Sequence, residues 1–193
     1  SAELRMQQRH VVRLETRPPN AEDVGEVTQR ELLKNALRMR PDRIVLGEVR
    51  GAEVLDMLQA MNTGHDGSLA TLHANSPRDS IARLELMIDL SGVNISAPSI
   101  RKQIASAIDL IIYVNRGRDG KRRVESVTEV VGIEEDNVVL QEIFVFENKY
   151  NKQTDTMNGQ FKATGLRPTC GKKCEAVGYR LPQELFSFSK EVF

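Results

Sequence analysis

The sequence predicts an α/β fold: a mostly parallel sheet with flanking helices, followed by a small antiparallel meander and a short helical tail. Short apolar segments alternate with amphipathic helical segments from residue 10 to about residue 115, the pattern of parallel strands joined by helices. After Arg116, alternating segments are separated by turn signals, which is typical of antiparallel strands. We therefore expect divisions at residues 1–115, 116–165 and 166–193, in a chain of 193 residues that is long enough to bury a core.

The first predicted elements are a strand and a capped helix. His10–Thr16 alternates as a strand does, and the turn-forming residues from Arg17 to Asn20 end it. Thr28 and Glu31 form a capping-box pattern before apolar residues at helical spacing. These apolar residues are Leu32, Leu33, Ala36 and Leu37. Pro41 and Asp42 end the predicted helix.

Three short strands and three more helices complete the first part. The predicted strands are Ile44–Leu46, Ser68–His73 and Asp109–Asn115, and the first is apolar throughout, as in a strand buried on both faces. One helix lies between the first two strands, a second begins at Ser76-Pro77 and a third at Pro98. The residues predicted to face inward on these helices are Val54, Leu55, Leu58, Met61, Ile81, Leu84, Ile88, Ile100, Ile104, Ala107 and Ile108.

The meander is predicted from turn residues. Asp119-Gly120 indicates a hairpin between Leu110–Val114 and Val124–Val131. Asn137–Phe146 is a long strand, and a further hairpin that pairs Phe144–Lys149 with Gln160–Thr164 is expected around Asn158-Gly159. A short helix and an aromatic tail follow; packing of the tail back on the meander is favoured, and a docking surface is the alternative. The tail residues are Leu185, Phe186, Phe188 and Phe193.

Composition excludes several classes of protein. The 27 Lys and Arg residues balance the 27 Asp and Glu residues, and the pI near 6.8 excludes a generally basic nucleic-acid binder, so we expect no nucleic-acid partner. No apolar run approaches the ~18–20 residues of a membrane span. Two cysteines cannot form a disulfide framework, which favours a reducing cytoplasm. The chain begins Ser-Ala without Met, so we expect it to be a fragment of a longer protein.

The first candidate site residue is Glu48. Arg43–Gly51 (RIVLGEVRG) places this acid at the carboxyl end of a buried strand, where open α/β sheets bind ligands. A carboxylate there can hold Mg²⁺ through water or orient water toward a γ-phosphate. The alternative is a loop glutamate paired with a neighbouring arginine.

The second motif is Thr63–Ala74 (TGHDGSLATLHA), which places His73 after a strand on the expected edge of Glu48. Gly64 and Gly67 let the backbone approach a ligand closely. An imidazole at position 73 can donate to a phosphate oxygen and so detect the γ-phosphate. Two alternatives remain: His65 and His73 as zinc ligands, or His73 as a structural hydrogen-bonding residue.

Arginines are dense around these motifs, and arginine stabilises charge on a transferring phosphoryl group. Taken singly, each of these arginines more commonly forms a salt bridge on the protein surface. The residues in question are Arg13, Arg17, Arg30, Arg38, Arg40, Arg43 and Arg50. Cys170 and Cys174 are spaced to share a helix face, but two cysteines make only half of a metal site.

In this order, the motifs resemble those of the type II/type IV secretion system ATPases. The matching segments are Arg13–Asn20, Leu37–Arg43, Gly47–Gly51, Thr63–Gly67 and Thr71–Asn75. The similarity runs from about residue 3 to residue 147 and is closest to the tight-adherence (Flp) pilus-assembly branch, the CpaF-like proteins. Thr164–Pro168 and Leu181–Phe186 also resemble the end of that branch.

The resemblance implies a truncated RecA-like P-loop ATPase domain that uses ATP and Mg²⁺ and works as a homo-oligomeric ring, normally a hexamer. It implies a cytoplasmic location peripheral to the bacterial inner membrane, with an inner-membrane platform protein as partner. The work implied is pilin assembly or protein secretion.

The resemblance also assigns site residues. Glu48 matches the Walker B glutamate, with Gly47 in the place where other P-loop enzymes carry an Asp, and His73 looks like the γ-phosphate sensor of the His box. The remaining residues implied to bind nucleotide or phosphate are Arg38, Arg50, Thr63, Gly64, His65, Arg13 and Arg17.

One departure from the family pattern bears on activity. The sequence contains no Gly-x-x-x-x-Gly-Lys-[Ser/Thr], so the loop and Lys that hold the β- and γ-phosphates are not among these residues. We expect the P-loop upstream of Ser1, an active ATPase in the longer parent and an inactive isolated chain. The tetracysteine zinc module of some relatives is not matched, so we expect no zinc.

Two other functions compete with the motor ATPase. A non-catalytic ring-forming or platform-docking module needs neither Glu48 nor His73, so Glu48→Gln would leave its function intact. A zinc hydrolase using His65, His73 and a carboxylate would carry stoichiometric metal, and the spacing of the two histidines argues against it.

Overall fold

The computed structural model describes residues 4–151 and 156–187, and these divide into two compact units. The first unit comprises residues 4–75 and 79–107. The second comprises residues 76–78, 108–151 and 156–187.

The elements are numbered here in chain order. In the first part of the chain they are α1 (Gln29–Arg38), β1 (Val45–Leu46), α2 (Glu53–Asn62), β2 (Leu69–Ala70), α3 (Pro77–Leu90) and α4 (Ala97–Ala107). They continue with β3 (Leu110–Arg116), β4 (Arg122–Glu134), β5 (Asn137–Asn151), β6 (Thr156–Ala163), α5 (Gly171–Ala176) and a 3₁₀ turn (Gln183–Phe186).

In the first unit, β1 and β2 form a parallel pair, with Val45 opposite Leu69 and Leu46 opposite Ala70. A backbone hydrogen bond from Val49 N to Thr71 O, 2.8 Å long, continues the pairing past both strands. The sequence predicted a mostly parallel sheet and a longer strand, Ser68–His73. Among the described residues the parallel sheet is this one pair, and β2 ends at Ala70 rather than at His73.

The helices of this unit form as the sequence predicts. The capping box at α1 is complete, because Thr28 accepts from Glu31 N–H and Glu31 accepts from Thr28 N–H. Each of the other three helices turns an apolar face into the core. The buried core residues of α2, α3 and α4 are Val54, Met57, Leu58, Ala60, Ile81, Leu84, Met87, Ile88, Ile100 and Ile104.

The strand prediction for His10–Thr16 is wrong. In the described residues this segment joins no sheet, and Arg17 pairs with Val27 in an isolated antiparallel bridge. Val12 is exposed, so the alternation of the sequence does not correspond to one buried face. Alternation of apolar and polar residues does not by itself make a strand, because the backbone N–H and C=O groups of a strand also need hydrogen-bond partners on a neighbouring strand.

The second unit contains an antiparallel sheet in the order β3-β4-β5-β6. The predicted hairpins are present, and their strands are longer than expected at most ends. Asp109–Asn115 was placed in the alternating, mostly parallel part of the chain, and the structure corrects this. Its residues from Leu110 onward form β3 and pair antiparallel with β4, because the short Arg118–Gly120 turn returns the chain directly beside them.

The turn predicted at Asn158-Gly159 is also wrong. Gly159 lies inside β6, opposite Asn148. A Cβ at position 159 would overlap the ring of Phe146, so this glycine accommodates a close ring contact on the sheet rather than a turn. The connection between β5 and β6 lies outside the described residues.

The tail packs on this sheet, as predicted. Phe186 is buried and its ring centroid lies 5.7 Å from that of Phe144, which in turn stacks on Phe161. Phe188 and Phe193 lie outside the described residues.

A buried glutamate anchors α5 to the sheet. Glu129 in β4 is 1% exposed and accepts hydrogen bonds from Thr169 N (3.0 Å), Thr169 Oγ1 (2.8 Å) and Cys170 N (2.7 Å). Burial disfavours its charge, but the backbone and hydroxyl donors outweigh burial and hold the pKa of Glu129 below its usual value. Burial and the nearby Glu129 charge raise the pKa of the Cys170 thiol to about 11.

We expect Glu129→Gln to lower the free energy of unfolding by about 1–3 kcal/mol, because an amide NH₂ would face N–H donors in a buried site. Urea unfolding followed by circular dichroism measures this. Glu134→Gln in the same strand is the control, and because Glu134 is exposed we expect a change within about 0.5 kcal/mol.

The effect should depend on pH. Since the folded-state pKa of Glu129 is lowered, its stabilisation is fully present above the unfolded pKa of about 4.3 and is lost as pH falls through the folded value. The difference in the free energy of unfolding between wild type and Glu129→Gln should therefore become smaller as the pH falls. A gap that stays constant from neutral pH into strong acid would contradict an ionised Glu129.

Candidate functional site

Glu48 lies directly beyond β1, in a loop that backbone hydrogen bonds hold beside the segment after β2. The Thr71 hydroxyl donates to Gly47 O, and Gln29 Nε2 at the start of α1 donates to Glu48 O at 2.6 Å. With the bond between Val49 N and Thr71 O, these contacts connect the loop to both β2 and α1. Glu48 therefore has a defined backbone position rather than that of a free surface loop.

A second acid fixes the other end of this loop. Glu53, in the first turn of α2, is 7% exposed and accepts from Arg50 N at 2.7 Å and Gly51 N at 3.0 Å. These donors precede the helix and would otherwise lack an acceptor inside the protein. Arg30 of α1 pairs with Asp56 of α2 at 2.6 Å, which joins the two helices that flank the loop.

The structure brings Glu48, Arg50 and His73 together, in the first unit. Arg50 Nη2 donates to Glu48 Oε2, and His73 Nε2 lies 3.1 Å from Glu48 Oε1. The side chain of Glu48 is 26% exposed, whereas those of Arg50 and His73 are 74% and 81% exposed. The hydrogen bond from Arg50, with smaller contributions from the charges of Arg50, His73 and Arg83, lowers the pKa of Glu48.

The other residues of the His-box segment make local contacts. His65 Nδ1 lies 3.2 Å from Ala60 O, and the Thr63 hydroxyl donates to Gln59 O at 2.8 Å, so both lie at the end of α2. Gly64 has φ of +92°, a conformation that favours glycine. These contacts shape the turn between α2 and β2.

The predicted arginines outside the loop are dispersed. Arg17 Nε donates to Gly25 O at 2.7 Å, and Arg13 Nη2 donates to Met6 O at 3.5 Å. Arg38 is exposed in the last turn of α1. Among the predicted arginines, Arg50 is thus the one that contacts Glu48 in the described residues.

Three residues near Glu48 were not predicted from the sequence: Gln29, Glu53 and Arg83. A glutamate in the first turn of a helix is a recognisable signal, and it identifies Glu53 as a partner for nearby N–H groups. Gln29 and Arg83 carry no comparable signal, because their proximity to Glu48 depends on helix packing.

The arrangement combines a carboxylate with two exposed donors. The hydrogen bond from Arg50 lowers the pKa of Glu48, and the ionised carboxylate can accept hydrogen bonds from Mg²⁺-bound water. Arg50 and His73 carry N–H groups of the kind that bind phosphate oxygens. The residues present therefore fit one side of a magnesium–phosphate site.

Residues 4–151 and 156–187 contain no group of three or more His, Cys, Asp and Glu side chains arranged to hold a metal ion. No helix in the same residues is long and apolar enough to cross a membrane.

The family model and the related proteins that match this chain agree on one family. The family model described as "Type II/IV secretion system protein" matches residues 1–180. A relative named "Putative conjugal transfer protein" from Mycobacterium tuberculosis (strain H37Rv) is 48% identical over 127 residues, covering 66% of this chain and 36% of that protein. The type IV secretion system protein PtlH of Bordetella pertussis is 38% identical over 114 residues, covering 56% of this chain and 33% of its own length.

A solved structure is also similar. The VirB11 ATPase of the Brucella suis type IV secretion system, crystallised with sulphate, superposes with a TM-score of 0.50 at 34% identity. The match covers 53% of this chain and 32% of that one. The chain thus spans about a third of the length of each of these three proteins.

We expect Arg50→Gln to raise the pKa of Glu48 toward its ordinary value, because the donor from Arg50 is the main cause of the lowering. His73→Gln should raise it less. Carbon-detected NMR titration of the Glu48 carboxyl measures both. Lys102→Gln, which removes an exposed cation from α4, is the control. An equal rise of the Glu48 pKa in this variant would show that the net charge of the protein, rather than the Arg50 contact, sets the pKa of Glu48.

Proposed function

The chain belongs to the type II/IV secretion system protein family, and we propose that it is the carboxyl-terminal part of a motor ATPase. In this proposal the parent protein couples ATP hydrolysis to pilin assembly or protein secretion across the inner membrane. The observation that carries the proposal is the group formed by Glu48, Arg50 and His73 at the end of a parallel strand pair. Open α/β sheets bind their ligands at this edge.

The finer assignments are a RecA-like ATPase core, a hexameric ring and the CpaF-like branch that assembles Flp pili. The RecA-like core is supported by the parallel strands of the α/β unit and by the similarity to the VirB11 ATPase. The ring, the branch and an inner-membrane platform partner follow from the resemblance of the motifs. The same reasoning places the parent protein in the cytoplasm, at the face of the inner membrane.

In the proposed mechanism, Glu48 holds and orients water while Arg50 and His73 bind phosphate oxygens. Mg²⁺, when bound with ATP, neutralises charge on the β- and γ-phosphates. Glu48 is ionised, so it can accept hydrogen bonds from Mg²⁺-bound water or from the attacking water. The backbone bonds from Gln29, Val49 and Thr71 keep Glu48 in place during these contacts.

The observed contacts also indicate how the residues respond to a phosphate. Both oxygens of Glu48 are engaged, one by Arg50 and the other by His73. A phosphate group carries more negative charge than one carboxylate, so it competes for these exposed donors. As they turn toward phosphate, the oxygens of Glu48 become available to water. Loss of the γ-phosphate reverses the exchange, so hydrolysis changes the partners of the Arg50 and His73 side chains while the backbone of the loop stays in place.

A test of catalysis uses the parent chain extended upstream of Ser1 to include its P-loop. We expect Glu48→Gln to lower the kcat for Mg-ATP by about 10²-fold or more, because an amide cannot replace an ionised carboxylate in orienting water. Steady-state phosphate release measures this, and Glu134→Gln on the second unit is the control. Equal rates in wild type and Glu48→Gln would favour the non-catalytic docking module.

We expect the isolated 193-residue chain to show no Mg-ATP turnover above background, because its sequence has no loop and Lys for the β- and γ-phosphates. The same phosphate-release assay checks this, with the extended chain as positive control. Turnover that disappears in the Glu48→Gln version of the isolated chain would contradict the expectation.

A further inference from the structure

The β3–β4 hairpin in the second unit ends in a dense group of cations. Gly117 N donates to Lys121 O and Gly120 N donates to Gly117 O, both at 2.9 Å, which closes the turn. Arg116 Nε donates to Gly120 O at 3.0 Å, so its guanidinium lies over the tip. The exposed cations of residues 116–123 are Arg116, Arg118, Lys121 and Arg122.

The acid in this turn, Asp119, is paired with a fifth cation, Arg123. Asp119 makes two hydrogen bonds to the guanidinium of Arg123, at 2.9 and 2.5 Å. This contact lowers the pKa of Asp119 to about 2, so the pair stays ionised near neutral pH. Residues 116–123 contain five cations and one acid, a formal net charge of +4, although the whole chain has no formal net charge.

One face of the same hairpin is apolar next to the cations. Val114 pairs with Val124 and Arg116 with Arg122, so these four side chains share a face of the sheet. Ile112 lies on this face of β3 as well, two residues before Val114. Ile112 and Val114 are 59% and 53% exposed, so both present aliphatic surface beside the cations.

We propose that this hairpin face, defined by Ile112, Val114, Val124, Arg116 and Arg122 with the cations of the turn, binds the surface of an anionic phospholipid bilayer. The cations match the negative headgroups, and the adjacent aliphatic side chains enter the boundary between headgroups and acyl chains. This combination favours a membrane over nucleic acid, because non-specific duplex binding uses cation–phosphate contacts and gives the aliphatic side chains no apolar phase to enter, whereas a bilayer takes up both. On this face the neighbours of the arginines are aliphatic.

The inference does not depend on the ATPase proposal, since the hairpin belongs to the second unit and Glu48 to the first. It adds a direct lipid contact to a chain whose described helices cannot cross a membrane. Binding is expected to be reversible and sensitive to salt, because exposed charges are screened over about 10 Å at 0.1 M ionic strength.

The test is co-sedimentation of the 193-residue chain with vesicles that contain about one third phosphatidylglycerol in phosphatidylcholine. We expect binding at low salt, and little binding to pure phosphatidylcholine. Removing a basic side chain near an anionic surface weakens binding about fivefold, so Arg116→Gln with Arg122→Gln should weaken it roughly 25-fold. Ile112→Thr with Val114→Thr keeps β-branched residues in the strand and should remove the part of the binding that survives high salt.

Arg5→Gln with Arg9→Gln is the matched control, because it removes the same charge from exposed positions in the first unit. This control should bind anionic vesicles as wild type does, and circular dichroism of each variant establishes that it is folded. Equal weakening in both double arginine variants would overturn the proposal. Binding to neutral vesicles at the same level as to anionic vesicles would also overturn it. A third contrary result would be binding to a labelled DNA duplex that is tighter than binding to the vesicles and is unchanged by the Thr substitutions.

Discussion

The parallel pairing of β1 with β2 is the constraint on which the candidate site depends. The two strands are only two residues long, yet their register decides which side chains meet at their carboxyl ends. Glu48 follows one strand and His73 the other, and the bond from Val49 N to Thr71 O holds the two following segments together. A shift of one residue would move every side chain of one strand to the opposite face and separate the pair.

The strength of this constraint comes from polar groups outside the strands. Two paired residues give little stabilisation alone, so the loop relies on acceptors and donors from the helices around it. Gln29 bonds the backbone of Glu48 itself, and Glu53 accepts the N–H groups of Arg50 and Gly51. Buried Val54 and Leu58 hold α2, and with it Glu53, against the core. The hydrophobic core thus positions the site through the helix that carries the buried acid.

Whether the sequence predicted a feature of the fold or of the candidate site depended on how far apart the interacting residues lie in the sequence. The capping box of Thr28 and Glu31 was predictable because both partners lie within four residues. The proximity of Glu48 and His73 followed from the general rule that parallel strands end at one edge. The strand at His10–Thr16 and the turn at Asn158-Gly159 failed for the opposite reason. The first needs a partner strand that the described residues do not provide, and the second is decided by the ring of Phe146 across the sheet.

A comparison of three carboxylates explains why Glu48 is the one for which we propose a catalytic role. Glu53 and Glu129 are buried and accept backbone N–H groups, which cannot move away without local unfolding. Glu48 is more exposed, and its partners are the ends of two flexible, largely exposed side chains, Arg50 and His73. Exchange of such partners costs little, because the donors find water or another anion as soon as they leave. The hydrogen-bonded backbone therefore fixes where Glu48 lies, while its exposed partners leave its oxygens open to exchange. The alternation between an ion pair and ordered water that we propose for Glu48 needs both properties.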